Sequence, residues 1–283
     1  MARKFIFEDE YLHNDFTLEY CYENVLHNPI GLKTEEFLNL KCLFNSFLIN
    51  NCICKQDCLQ NCGHSQNYLF SEEYDELLLN KDRVSRDIIY ECSENCQCSS
   101  DCGNRLVQYG PRAGLIVKPS KIISNEEGLF TSNCIPVGGF ICEYAGEILT
   151  RSEALKRDRY QESNRILNKL GQQIFKNYII CLKEKRLQCE NGEVLETFID
   201  PSKVGNIGRY INHSCDPNCD IISVRIDCPI PKLAVFAKRN IKAMEELFFD
   251  YGEGFINEDS SFSPVKCLCN TEKCRKILPA FCY

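Results

Sequence analysis

No run of this sequence approaches the roughly 20 apolar residues that a membrane-spanning helix needs. Met1 to Leu12 also carries charges where a secretory leader would have its apolar core. The chain is therefore expected inside the cell and away from a membrane. Basic charge is scarce too, since 33 Lys and Arg stand against 40 Asp and Glu for a net charge of −7. That leaves no basic face to grip phosphates, so direct sequence-specific DNA binding is not expected. An acidic surface suits a basic peptide partner instead. There is no repeat such as an ankyrin array and no low-complexity tract, and tryptophan is absent altogether. With 44% hydrophobic and 26% charged residues over 283 positions, the chain can bury one fair-sized core or two small ones.

Cysteine is plentiful, with 21 copies. In a reducing compartment, thiolates at close and regular spacing bind metal far more often than they pair as disulfides, and zinc is the expected metal. They form a dense block from Cys52 to Cys102, a sparse middle and a short terminal cluster. Between about Leu115 and Tyr251 the pattern is short β-type runs separated by Gly, Pro, Asn and Asp. The runs are Phe140 to Tyr144, Tyr178 to Leu182, Thr197 to Ile199, Ile221 to Ile226 and Leu233 to Ala237, which predicts a mostly β domain. Ser152 to Arg165 is polar and reads as a solvated surface helix starting at Ser152. Residues 1 to 50 lack a clear period and read as a packing arm or a partly ordered leader.

In the first block Cys52, Cys54, Cys58, Cys62 and His64 are followed, after a polar loop, by Cys92, Cys96, Cys98 and Cys102. One residue between Cys52 and Cys54, or between Cys96 and Cys98, is too tight for ordinary zinc knuckles and suggests thiolates shared between neighbouring ions. This block, followed by Asn104, Arg105, Leu106, Val107 and Gln108, resembles the pre-SET zinc cluster of SET-domain histone methyltransferases. Two further segments resemble signatures of the same family. One is Gly205 to Cys215, containing the run Asn212, His213, Ser214, Cys215, and the other is Glu246 to Gly252. Cys142 to Glu147 matches a third, and the likeness extends over residues 50 to 283.

The resemblance implies a mostly β SET domain, small sheets around a pseudoknot, flanked by a pre-SET multi-zinc cluster and a post-SET zinc site. The expected divisions are an arm at 1–49, pre-SET at 50–112, SET at 113–252 and post-SET at 253–283. The family presents nine cysteines to three zinc ions, and nine ligands supply twelve tetrahedral bonds only if three of them bridge. Here the fifth position is His64, and an imidazole cannot bridge as a thiolate does. His64 is thus a ligand at a terminal place, or an unligated polar histidine beside a cluster with fewer metals. Cys267, Cys269 and Cys274 are one ligand short of four, and the resemblance implies Cys215 as the fourth. Phe255 and Leu278 could then pack near the adenine and the substrate stem, or simply in a core. The other nine cysteines, such as Cys134, Cys142 and Cys181, read as small buried hydrophobes.

The implied activity is methyl transfer from S-adenosylmethionine to lysine. A free lysine is protonated at neutral pH, so the pocket must favour the neutral amine. A channel walled by Tyr178, Phe249 and Tyr251 would desolvate the ammonium and hold its stem. By resemblance Tyr251 is the catalytic tyrosine, while Asn212, His213, Arg209 and Tyr178 line the cofactor side. Glu126, Glu127 and Gly128 stand where the family has Gly-Trp-Gly against the methionine end of the cofactor. Two carboxylates there could repel the cofactor's carboxylate or attract its ammonium and sulfonium. The residue two before the catalytic tyrosine, here Phe249, lacks the hydroxyl that in the family stops reaction at one methyl, which implies di- and trimethylation. The implied substrate is the histone H3 tail on the nucleosome, at lysine 9 or alternatively lysine 36, with nuclear residence on chromatin. A catalytically silent module that grips a basic tail is the rival reading.

Overall fold

The computed structural model describes residues 17–31, 33–49, 51–55, 58, 62, 64, 67–84, 88–124, 126–163, 166–167, 173–174, 178–185, 194–252 and 265–278. The arm contributes strands Glu19–Tyr20 (β1) and Val25–Leu26 (β2) and helix Glu35–Phe44 (α1). Thr34 caps that helix by accepting the Phe37 N–H at 3.2 Å, and Glu35, Glu36 and Lys41 complement its dipole. Next come the hairpin Tyr68–Ser71 (β3) and Glu76–Leu79 (β4), the short helix Lys81–Val84 (α2) and strand Ile89–Tyr90 (β5).

The central domain runs through Leu115–Pro119 (β6), Glu127–Thr131 (β7), Phe140–Tyr144 (β8), Gly146–Leu149 (β9) and helix Arg151–Ser163 (α3). It continues with Ile166–Leu167 (β10), Gln173–Ile174 (β11), Ile180–Lys185 (β12) and the long Val194–Gly205 (β13). Asn212–His213 (β14), Cys219–Arg225 (β15), Lys232–Ala237 (β16) and Phe248–Phe249 (β17) complete it.

Two sheets carry the core. One orders β1, β13, β9 and β2, with β12 also on β13, and the other orders β5, β15, β16 and β8. Strand β8 is buried along its whole length, which is why it does not alternate: it is apolar but for Glu143, which pairs with Lys232 at 3.0 Å. Ile141, Tyr144, Ile148, Ile199, Val235, Leu247 and Phe249 join the two sheets in one cluster. The arm is part of this domain: β1 lies parallel to β13 and β2 parallel to β9. Gly146 lets β9 approach closely, since a Cβ there would sit 2.6 Å from the backbone carbon of Asp200.

The helix expected at Ser152 to Arg165 begins one residue earlier, because the Thr150 hydroxyl, not Ser152, caps it by accepting the Glu153 N–H at 3.2 Å. It is also more than a solvated surface. Ala154 is fully buried, and Arg157 contacts Glu147 Oε2 at 2.7 Å and Asp200 Oδ2 at 2.6 Å. The knot-like crossing is formed by β14 lying parallel to β17, with His213 opposite Phe249. Two segments far apart in the chain are thereby set side by side, and this crossing builds the site.

Candidate functional site

The turn Ile207–Tyr210 that leads into β14 buries all four of its residues, and its Asn206 side chain accepts the Gly208 N–H at 3.0 Å. It delivers Arg209 over the Tyr178 ring at 4.6 Å, while Arg209 Nε donates to the Pro201 carbonyl at 3.1 Å. Past β17, Tyr251 folds back along β14. Its hydroxyl donates to the Ile211 carbonyl at 3.1 Å, and its ring lies 4.9 Å from Phe249 and 5.2 Å from His213. Phe249 in turn meets Tyr144 edge to face at 5.8 Å, and the Tyr144 hydroxyl donates to the Tyr178 carbonyl at 2.5 Å. Burial raises the Tyr251 phenol above its usual range, and Tyr178 and Glu126 add to the rise, so the hydroxyl keeps its proton.

The His213 ring has both nitrogens occupied. Nδ1 accepts the Tyr251 N–H at 3.2 Å, which assigns the proton to Nε2, and Nε2 lies 3.3 Å from the Cys215 sulfur. Burial pushes this imidazole down to about 4, against the nearby Asp250 carboxylate and with help from Arg275. The Asn212 amide donates to the Glu127 carbonyl at 3.0 Å and to Glu246 Oε1 at 3.1 Å. Gly128 is needed at this spot, since a Cβ would stand 2.3 Å from Glu246 Oε1. Glu127 begins β7 beside Asn212 and Glu126 precedes it, both partly buried, and the Glu126 carbonyl accepts the Ser120 N–H at 2.8 Å. Glu126 and Glu127 bring two carboxylates to the neighbourhood of Asn212 and Tyr251, a negative charge that suits a ligand carrying positive charge.

The sulfurs gather in two places. Cys215, Cys267, Cys269 and Cys274 form one set, with all ligand atoms within 4.8 Å and Cys215 to Cys267 at 3.8 Å. Tetrahedral Zn–S bonds of about 2.3 Å place sulfurs about 3.8 Å apart, so this set fits one zinc ion. The other place holds three overlapping sets: Cys52, Cys54, Cys58, Cys62; Cys52, Cys58, Cys92, Cys98; and Cys52, His64, Cys92, Cys96. Cys102 completes the group by contacting Cys92 and Cys58. His64 Nδ1 lies 3.6 Å from the Cys92 sulfur and 3.9 Å from that of Cys96. Thiols this close oppose one another's ionisation. Contact with Cys102 and burial push Cys92 far up, and burial and Cys52 do the same to Cys58, so full ionisation requires cations. Around the cluster Arg105 donates to Cys98 and Asn104 to Cys92, both at 3.5 Å.

Residues 126–252 match the SET domain family. The histone-lysine N-methyltransferase SETMAR of Bos taurus is 42% identical over 200 residues, which cover 68% of this chain and 60% of the relative. The probable histone-lysine N-methyltransferase set-23 of Caenorhabditis elegans is 35% identical over 235 residues, covering 82% of this chain and 88% of the relative. The chain belongs to the SET-domain histone-lysine methyltransferases. The crystal structure of the human SETMAR methyltransferase domain superimposes with a TM-score of 0.70 at 32% identity, covering 93% of this chain and 89% of that one. The chain spans about 60% of the length of the Bos taurus SETMAR it matches.

Within this SET domain the crossing gathers Tyr251, Phe249, Tyr178, Arg209, Asn212 and His213 at one place. Glu126 to Gly128 is joined to it through Asn212, and the post-SET set through Cys215. Two residues escaped the sequence reading. Tyr144 connects Phe249 to Tyr178, and Glu246 gathers Asn212, Ser120 and Lys121. Both lie inside signature segments, but their contacts are with residues distant in the chain. Among the remaining cysteines, Cys142 is buried and Cys181 half-buried, whereas Cys134 is exposed on the loop after β7 and is not a core residue. Leu278 pairs through its N–H with the Val265 carbonyl at 2.8 Å, and Phe255 lies outside the described residues. Among those residues no helix is long and apolar enough to cross a membrane.

Proposed function

We propose that the chain transfers methyl groups from S-adenosylmethionine to a lysine of the histone H3 tail, most readily lysine 9, to the di- and trimethyl states, in the nucleus on chromatin. The observation that carries this reading is the placement of Tyr251, whose hydroxyl donates to the Ile211 carbonyl and whose ring lies beside the rings of Phe249 and His213. S-adenosylmethionine supplies an electrophilic methyl on a sulfonium. Tyr251, Phe249 and Tyr178 supply an apolar lining that holds the lysine stem and disfavours its ammonium form, leaving a neutral amine to attack. Orientation of the amine provides much of the rate without a dedicated base. Tyr251 keeps its phenolic proton and gives it to the Ile211 carbonyl, so what its oxygen offers the reacting atoms is a lone pair.

Three zinc ions are assigned to the pre-SET group and one to the post-SET group. Cys52, Cys58 and Cys92 recur among the overlapping sets and serve as the bridges. Cys54 and Cys62, Cys98 and Cys102, and His64 and Cys96 then fill the terminal pairs, giving twelve bonds from nine ligands. His64 takes a terminal place, as an imidazole must. Lysine 9 is preferred over lysine 36 on the likeness of the pre-SET segment alone.

The deciding experiment is methyl transfer from labelled S-adenosylmethionine to recombinant histone H3 by zinc-replete protein, read by mass spectrometry for site and methyl number. Trimethyl product on one lysine is expected. No transfer to any histone favours the silent module, with Glu126 and Glu127 as the reason.

A further inference from the structure

Glu246 is a buried carboxylate, 3% exposed, that takes no part in the reaction described above. Three donors converge on it. The Ser120 hydroxyl donates to Oε1 at 2.7 Å, the Lys121 N–H to Oε2 at 2.9 Å, and the Asn212 amide to Oε1 at 3.1 Å. The other hydrogen of that amide goes to the Glu127 carbonyl at 3.0 Å. A carboxylate and a carbonyl only accept, so the Asn212 carboxamide has one orientation: its NH2 turns inward and Oδ1 turns away from both. The backbone makes room for this arrangement at Gly128, whose missing Cβ is what allows Oε1 to sit there.

We infer that Glu246 is a positioning residue that locks Asn212 so that its carbonyl oxygen accepts from the α-ammonium of S-adenosylmethionine. The inference rests on the cofactor reading of this pocket. An outward amide oxygen asks for a ligand donor, and the neighbouring acidic residues favour a cationic one. Glu126, whose charge is felt at Tyr251, lies on this same side. The ammonium is the strongest cationic donor the cofactor carries.

The test is isothermal titration of zinc-replete protein with S-adenosylmethionine and with 5′-methylthioadenosine, which keeps the adenosine and sulfur but lacks the ammonium and carboxylate. Glu246→Met removes both acceptor oxygens at about the same side-chain length and frees the Asn212 amide to rotate. The expected result is a loss of about tenfold or more for S-adenosylmethionine, with methylthioadenosine held within about twofold. Glu246→Asp keeps the charge but falls one methylene short of Asn212. It is expected to give the same selective loss, and it serves if the methionine variant does not fold. Equal losses for both ligands, or no loss for either, overturn the positioning role and leave the cofactor reading intact. A wild-type protein that binds neither ligand overturns the cofactor reading and this role with it.

Discussion

Tyr251 is held to His213 by its backbone: the tyrosine N–H donates to Nδ1 of the imidazole at 3.2 Å. The other nitrogen of that ring lies 3.3 Å from the sulfur of Cys215, which belongs to the post-SET ligand set. One neutral ring therefore connects the tyrosine to a thiolate that zinc would hold.

Tyr251→Phe keeps the ring contacts with Phe249 and His213 and removes only the hydroxyl that donates to Ile211. Methyl transfer is expected to fall by about two orders of magnitude, as for loss of one preorganised polar group, with little change in melting temperature. A matching drop in thermal stability would instead assign the hydroxyl a structural task.

Phe249→Tyr introduces a hydroxyl beside Tyr144 and Tyr178. Mass spectrometry of the peptide product is expected to shift from trimethyl to monomethyl. An unchanged distribution of methyl states would show that this position does not set product number.

His64→Ala removes the nitrogen that lies 3.6 Å from the Cys92 sulfur. Elemental analysis is expected to find about one zinc fewer per chain, because the remaining ligands of that ion number three. His64→Cys should retain the full complement, since a thiolate can fill the same terminal place. Equal zinc in the alanine variant and the wild type would remove His64 from the ligand set.

Arg157 joins α3 to both Glu147 and the fully buried Asp200. Arg157→Met takes the guanidinium from buried Asp200 and leaves Glu147 to His27 alone, and is expected to cost about 3–5 kcal/mol in urea unfolding. A pH dependence follows from the same contact. Burial alone would raise the Glu147 carboxyl, but the Arg157 and His27 bonds hold it below its ordinary 4.5. A carboxyl lowered in the folded state stabilises the fold above its unfolded value, and this contribution is lost as pH falls through the folded value. Stability should therefore decline below about pH 4.5 in the wild type and decline less steeply in Arg157→Met.

Much of the site was legible where function needs particular residues close together in the chain. The run Asn212 to Cys215, the run Phe249 to Tyr251 and the cysteine spacings are of this kind. Strand β8 matches the run Phe140 to Tyr144 end to end, since a strand buried on both faces is apolar except where a buried charge is paired, as Glu143 is with Lys232. Strand β13 was legible only at Thr197 to Ile199. Its continuation through Asp200, Pro201, Ser202 and Lys203 has the composition of a turn, and it stays extended because β9 and β1 pair with it on either side of an irregularity between Asp200 and Gly205. The arm's place was undecided because two-residue strands carry no period of their own.

The sequence by itself determined the chemistry on offer: which thiols and which histidine could meet zinc, and which tyrosine, phenylalanine and Asn-His pair were candidates to share one place. These are local properties of residue type and spacing. Only the tertiary structure decided how they are arranged. The sharing of Cys52, Cys58 and Cys92, the stacking of Arg209 on Tyr178 and the orientation of Asn212 by Glu246 all depend on segments set together by the crossing of β14 and β17 and by the sheets around it. Contacts of that range depend on how the whole core packs, and no window of neighbouring residues contains that information.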